Sequence, residues 1–117
     1  MRIGELARLS GVAASRIRFY EEHQVLPRAE RSGNGYRDYP KSAVKTLRLI
    51  DDAQRLGFSL SEIRTGLSEA APRVPSRRAM VKALRVKLVS VEEHLNEVRA
   101  RRREIVRLLR RLELPER

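Results

Sequence analysis

The longest regular pattern of apolar residues lies in the last third of the chain. From Val81 onward, apolar residues recur in alternating steps of three and four, and only Arg102 interrupts the series. This spacing predicts one long helix with a narrow apolar face, as in a coiled coil. We expect the helix to pair with a second copy of itself; folding back on the rest of the chain is the alternative. The predicted dimerisation seam comprises Val81, Leu84, Leu88, Val91, Leu95, Val98, Ile105, Leu109 and Leu112.

Two shorter apolar patterns at the start of the chain predict a pair of crossing helices. The helical spacing that begins at Ile3 ends at Gly11, because glycine tolerates the positive φ of a tight turn. A second helix is predicted from residue 13 to about residue 23, with Ile17 and Tyr20 on its apolar face. This arrangement indicates a helix-turn-helix, although a small helical hairpin of purely structural purpose gives the same pattern.

The segment 27–39 carries the strongest turn signal in the chain. Ser32, Gly33, Asn34 and Gly35 are consecutive turn-forming residues, which predicts a short hairpin or wing. Such a loop reaches a nucleic-acid backbone or minor groove when its flanks are basic; the alternative is a solvated hairpin whose tyrosines pack back on the first two helices. The flanks contain Arg28, Arg31, Tyr36, Arg37 and Tyr39.

The middle of the chain predicts two more helices and a boundary. A third helix is expected from Pro40 to about Leu56, with Gly57 as its stop. Ser59 and Glu62 have the spacing of a capping box at the start of a fourth helix. The proline-containing segment 69–75 interrupts the helical pattern. We therefore expect a mainly α chain with a DNA-binding domain over 1–70 and a dimerisation helix over 76–113.

Composition and net charge limit the classes of function that this chain can have. The chain has 117 residues, no cysteine and a formal net charge of +11, with the basic excess in residues 1–45 and 76–117. The charge favours a polyanionic partner such as nucleic acid. The absence of cysteine excludes disulfides, thiolate metal sites and a cysteine nucleophile. No apolar run reaches the roughly 18 residues of a membrane span. The expectation is a cytoplasmic protein without a membrane partner.

An enzymatic function is not expected. His23 and His94 lack the carboxylate or nucleophile neighbours that acid–base or metal chemistry needs. The adjacent acidic pairs at residues 21–22 and 51–52 point to different faces of a helix, so each carboxylate is interpreted as solvated or paired. The sequence indicates no catalytic residue, no metal site and no cofactor.

The motifs together resemble the MerR family of bacterial transcription regulators. The resemblance rests on IGELARLSGVAASRIRFYEEHQVL, RAERSGNGYRDY, LRLIDDAQRLGFSLSEI and the long final helix, and it extends over nearly the whole chain. It implies a winged helix-turn-helix whose second helix enters the major groove, a wing on the backbone, and an antiparallel coiled-coil dimer. It also implies a homodimer on an inverted-repeat promoter site that bends or untwists the DNA, with RNA polymerase reached through the shared promoter. Association with the bacterial nucleoid follows from the same resemblance.

The resemblance also implies the DNA-contacting residues. For Tyr20, burial against the first helix is an equal alternative, and Arg16 stands where the family commonly has threonine. Ala13 stands where the family usually has a capping serine or threonine. The recognition helix would contribute Ser15, Arg16, Arg18, Phe19 and Tyr20, and the wing Arg31, Asn34, Gly35, Tyr36 and Arg37.

The sequence does not identify a signal to which the protein responds, and it is compatible with two competing functions. Metal-responsive members of the family use cysteines and drug-binding members carry a further domain, and we expect neither in this chain. Constitutive binding, a small ligand between paired domains, or regulation by another protein are the alternatives. A DNA-architectural protein with little sequence preference is a competing function. The other is a coiled-coil adaptor whose arginine-rich stretch 99–111 binds RNA or an acidic protein.

Overall fold

The computed structural model describes residues 1–115, which form five helices and one two-stranded sheet. The chain divides into two compact units, Met1–Ser76 and a second unit that begins at Arg77. The elements are α1 (Ile3–Ser10), α2 (Ala14–Glu22), β1 (Glu30–Arg31), β2 (Arg37–Asp38), α3 (Ser42–Arg55), α4 (Leu60–Ala70) and α5 (Arg77–Glu113). The predicted mainly α architecture with a small wing is confirmed, and each predicted helix is present.

The core of the first unit is formed by the apolar faces of the short helices. α1 packs on both α2 and α3, and α4 packs on α3. Tyr39 brings the end of the wing into the same core, with almost no exposed surface. The buried apolar residues are Leu6, Val12, Ile17, Tyr20, Val25, Leu26, Tyr39, Ala43, Leu47, Ile50 and Ile63.

Local signals fix the ends of these helices. Gly11 and Gly57 have φ values of 75° and 93°, in the left-handed region that glycine adopts without steric cost. The predicted capping box is confirmed: the Glu62 amide donates to Ser59 Oγ and the Ser59 amide donates to Glu62 Oε1, both at 3.0 Å. Ala13 offers no side-chain cap to α2, as the sequence indicated.

The wing is a tight antiparallel hairpin. Glu30 pairs with Asp38 and Arg31 with Arg37. Its turn is closed by the Ser32 amide, which donates to the Tyr36 carbonyl oxygen at 2.7 Å. Gly35 has a φ of 84°, which accounts for glycine at this position of the turn. The turn residues therefore determine a short loop whose side chains lie in solvent.

The second unit is a single helix of 37 residues, about 55 Å long. None of the residues of α5 is buried. All nine residues of the predicted seam are exposed, from 40% for Val98 to 74% for Leu112. No helix within residues 1–115 is long and apolar enough to cross a membrane.

Candidate nucleic-acid interface

The second helix separates a buried face from a polar exposed face. Ile17, Tyr20 and Glu21 are buried, because residues three and four positions apart share the side that packs against the core. Ser15, Arg16, Arg18 and Phe19 are all exposed. Four of the five recognition-helix residues expected from the sequence thus lie on the accessible face.

Tyr20 has a different place in the structure. Its ring is fully buried, and its hydroxyl lies in a polar group of side chains from α2 and α3. The hydroxyl donates to Gln54 Oε1 at 2.8 Å, with Asp51 Oδ1 at 3.4 Å, and accepts from Arg16 Nε at 2.9 Å. We call Arg16, Tyr20, Asp51 and Gln54 the Arg16 network.

Arg16 is held by both helices of this network. Its Nη2 donates to Gln54 Oε1 at 2.9 Å, and its Nε lies 3.5 Å from Asp51 Oδ1. The hydrogen bond with Tyr20, assisted by the charge of Asp51, raises the pKa of the Arg16 guanidinium. The network therefore fixes a permanent positive charge on the exposed side of α2.

The wing presents its expected contact residues to solvent. Arg31, Asn34, Gly35, Tyr36 and Arg37 are all exposed. The Arg2 guanidinium lies 4.3 Å from the centre of the Tyr36 ring, within the range of a cation–π interaction.

Asn34 stabilises the turn of the wing. Its Oδ1 accepts a hydrogen bond from the Ser32 hydroxyl. The same oxygen lies 3.4 Å from the Tyr36 amide nitrogen. The carboxamide oxygen of Asn34 is thereby occupied within the turn.

A buried carboxylate connects the wing to the second helix. Glu21, only 4% exposed, accepts a hydrogen bond from the Tyr39 hydroxyl, and Arg37 Nη1 lies 3.4 Å from Glu21 Oε2. Burial, reinforced by the hydrogen bond to Glu21, raises the pKa of Tyr39. Hydrogen bonding to Tyr39 and the charge of Glu21 raise the pKa of Arg37. Glu21 is thus a shared acceptor that orients β2 relative to α2.

The amino terminus adds a second anchor for the wing. The ammonium group of Met1 donates to Asp38 Oδ1 and to the Tyr39 carbonyl oxygen, both at 2.7 Å. The Tyr39 amide donates in return to the Met1 carbonyl oxygen at 2.7 Å. The wing is therefore held by α2 and by the residues that precede α1.

Sequence reasoning did not identify Glu21 and Gln54 as members of the site. A signal existed for both, since Glu21 is four residues after Ile17 and Gln54 is four after Ile50, on the buried face of each helix. A polar residue on such a face requires a hydrogen-bond partner. The sequence does not show which residue that partner is.

Comparison with known proteins places this arrangement among transcription regulators. A family model described as "MerR HTH family regulatory protein" matches residues 1–70, and one described as "MerR, DNA binding" matches residues 44–114. The regulator CueR of Yersinia pestis is 34% identical over 110 residues, covering 92% of this chain and 78% of CueR. The regulator ZntR of Escherichia coli K12 is 36% identical over 112 residues, covering 96% of this chain and 75% of ZntR.

A solved structure shares the fold over nearly the whole chain. The transcription regulator PbrR691 from Ralstonia metallidurans CH34, in complex with lead(II), has a TM-score of 0.78 and 28% identity, covering 94% of this chain and 86% of that one. Soft metal ions prefer thiolate ligands, and this sequence contains no cysteine. Residues 1–115 also contain no group of three or more histidine, aspartate or glutamate side chains able to hold a metal ion. The residues present do not fit such an ion.

The fold, the exposed basic residues of α2 and the wing, and the comparisons with known proteins all indicate the same family. The two family models cover residues 1–70 and 44–114, and the relatives are regulators rather than enzymes. The chain belongs to the MerR family of sequence-specific DNA-binding transcriptional regulators, whose members bind promoter DNA as dimers.

Proposed function

We propose that this protein acts as a homodimer on an inverted-repeat promoter site and regulates transcription by bending or untwisting the DNA between the half-sites. In each protomer α2 enters the major groove and the wing contacts the neighbouring backbone. RNA polymerase is influenced through the promoter DNA that both proteins bind. The domain that contacts DNA comprises residues 1–70, and residues 76–113 form the dimerisation helix.

The observation that carries the proposal is the rigid connection between the two contact elements. Glu21 is buried on α2 and accepts from Tyr39 at the end of the wing. Its second oxygen lies 3.4 Å from Arg37 Nη1. A sequence-specific DNA-binding protein needs a fixed distance between the helix in the groove and the wing on the backbone, because phosphate contacts set the register of base contacts.

The exposed side chains suit the two parts of such an interface. Arg18 offers a guanidinium fork that matches a guanine edge or a phosphate, and Ser15 and Phe19 lie beside it on α2. In the wing, the arginines neutralise phosphates and the Tyr36 hydroxyl donates to a phosphate oxygen, while the backbone near Gly35 approaches closely because it has no side chain. The proposed wing contacts are Arg31, Asn34, Gly35, Tyr36 and Arg37.

Dimerisation through α5 is supported by its uncovered apolar stripe. Nine apolar residues at coiled-coil spacing are exposed along the helix, and a stripe of this kind is stabilised when a second helix covers it. A second copy brings a second α2 and wing, which matches an inverted repeat.

The test is selection of bound sites from random double-stranded DNA by the purified protein, followed by binding to the selected site at several salt concentrations. We expect an enriched inverted repeat and an affinity that falls steeply with salt. Binding without an enriched sequence would indicate an architectural function instead. No binding to DNA would indicate an RNA or protein partner for the arginine-rich stretch 99–111.

Two variants of Arg18 separate base contact from phosphate contact on the selected site. Arg18→Ala should cost about 1–3 kcal/mol of binding and relax one position per half-site if the guanidinium contacts a base. Arg18→Lys retains the charge, so it should preserve the salt slope while losing the base preference. A phosphate contact would instead give a uniform loss in Arg18→Ala, with a salt slope reduced by about one. An unchanged affinity and salt slope in Arg18→Ala would remove Arg18 from the interface.

A further inference from the structure

Arg16 combines an exposed position with a fixed orientation. Half of its side-chain surface is exposed (51%), yet the guanidinium contacts Tyr20 from its own helix and Gln54 and Asp51 from α3. Arg18, two residues later on the same helix, is exposed and makes no hydrogen bond or ion pair within residues 1–115. Arginine side chains lose much rotamer freedom on binding, and a side chain already held by neighbours loses less.

The contacts of Arg16 use only one edge of the guanidinium. Nε donates to the Tyr20 hydroxyl at 2.9 Å, Nη2 donates to Gln54 Oε1 at 2.9 Å, and Nε also faces Asp51. None of these contacts involves Nη1. Since a guanidinium has five N–H donors, Nη1 and the second hydrogen of Nη2 form an intact fork on the other edge. That fork has the geometry of a bidentate donor.

The charge around Arg16 selects the kind of acceptor. Asp51 Oδ1 lies 3.5 Å from Arg16 Nε, whereas the neighbouring Asp52 is paired with Arg55. A carboxylate at this distance repels a phosphate group more than it repels the neutral edge of a base. Guanine offers two neutral acceptors, O6 and N7, on one edge in the major groove.

We propose that Arg16 is a specificity-determining residue that binds a guanine edge through Nη1 and Nη2, and that Tyr20 and Gln54 are positioning residues for it. The proposal rests on the proposed function, in which α2 lies in the major groove. It gives the buried Tyr20 a role in recognition without contact with DNA. It also gives Gln54 on α3 an effect on base preference.

The experiment measures base preference on the selected site with full-length variants. Each base pair of the half-site is changed in turn, and competition binding is measured for wild type, Arg16→Lys, Gln54→Leu and the double variant. Arg18→Ala, alone and combined with Gln54→Leu, is the matched control from the same helix. Thermal unfolding of every variant confirms that the fold is retained.

We expect Arg16→Lys to lose roughly tenfold to hundredfold discrimination for guanine at one position per half-site while keeping the salt slope of wild type. Gln54→Leu should lose part of the same discrimination, and should have no further effect when Arg16 is lysine. Gln54→Leu and Arg18→Ala should act independently, because Arg18 is outside the network.

Two results would overturn the inference. Unchanged base preference in Arg16→Lys would show that the Arg16 network only joins α2 to α3. Equal coupling of Gln54 to Arg16 and to Arg18 would show that Gln54 acts through the fold and not through Arg16. If the wild-type protein enriches no site, the proposed function itself fails. This failure is distinguishable from failure of the inference, because site selection with wild type is done before any variant is measured.

Discussion

The two units of this protein place their apolar residues in opposite ways. The first unit, Met1–Ser76, buries eleven apolar side chains between four short helices and the end of the wing. The helix α5 has 37 residues, carries a regular apolar stripe from Val81 to Leu112 and buries none of its side chains. The first unit therefore has its own hydrophobic core, whereas α5 is an apolar surface without a core.

This difference separates two kinds of stability. The core of the first unit depends on contacts within one chain, so its free energy of unfolding is intrinsic to the protomer. In the proposed dimer a second copy covers the stripe of α5, so the stability of this helix should depend on protein concentration. Substitutions in the two units should accordingly affect different measurements.

The largest effect is expected from a charge in the α5 seam. Leu95→Asp should abolish the dimer and, with it, tight DNA binding, because an unpaired charge in a buried seam costs at least about 3 kcal/mol per chain. Size-exclusion chromatography with light scattering gives the oligomeric state. Val86→Asp, on another face of the helix, is the matched control and should stay dimeric. A dimeric Leu95→Asp protein would show that the seam is not the interface.

A cavity in the core of the first unit should have the next largest effect. Leu47 is fully buried, and Leu47→Ala should lower the free energy of unfolding by about 2–5 kcal/mol. Thermal or urea denaturation measures this loss, while light scattering below the transition should still show a dimer. Leu56→Ala, at an exposed position, should change stability by less than about 0.5 kcal/mol. Dissociation of the Leu47→Ala dimer below its transition would contradict the independence of the two units.

The anchor of the wing should respond to pH. Tyr39→Phe removes the hydrogen bond to Glu21 and should cost about 1–3 kcal/mol at neutral pH. Because the pKa of Tyr39 is raised in the folded state, its protonated form contributes stability below about pH 10, and this contribution is lost as pH rises through the folded pKa.

The measurement is urea denaturation of wild type and Tyr39→Phe at neutral pH and above about pH 10. The difference between the two proteins should shrink at the higher pH. Tyr36→Phe, whose hydroxyl lies on an exposed side chain, serves as the control and should match wild type at both values. A difference that grows with pH would show that the Tyr39 hydroxyl is not stabilised in its protonated form.

The smallest effect is expected at the start of α4. Ser59→Ala removes the acceptor for the Glu62 amide and should lower the free energy of unfolding by about 1 kcal/mol. Ser61→Ala, two residues later in the chain and exposed, is the control and should be close to neutral. Equal losses in the two variants would mean that the capping box contributes nothing measurable.

Local sequence determined the helices, the wing turn and the caps. Gly11, Gly57 and the Ser59–Glu62 pair act through backbone conformation and bonds within four residues, so their signals are legible in the chain. The apolar stripe of α5 is equally legible, because its spacing is periodic. The exposed basic residues of α2 and of the wing were also identified from spacing and resemblance.

Only the tertiary structure decided which polar side chains act together. Glu21 and Tyr39 are 18 residues apart, and Arg16 and Gln54 are 38 apart, yet each pair meets through a hydrogen bond. Tyr20 and Arg16 are neighbours on one helix, but their connection to Asp51 and Gln54 requires the fold to bring side chains of α2 and α3 together. Periodicity indicates which face is buried, whereas the partner across that face depends on how distant elements pack.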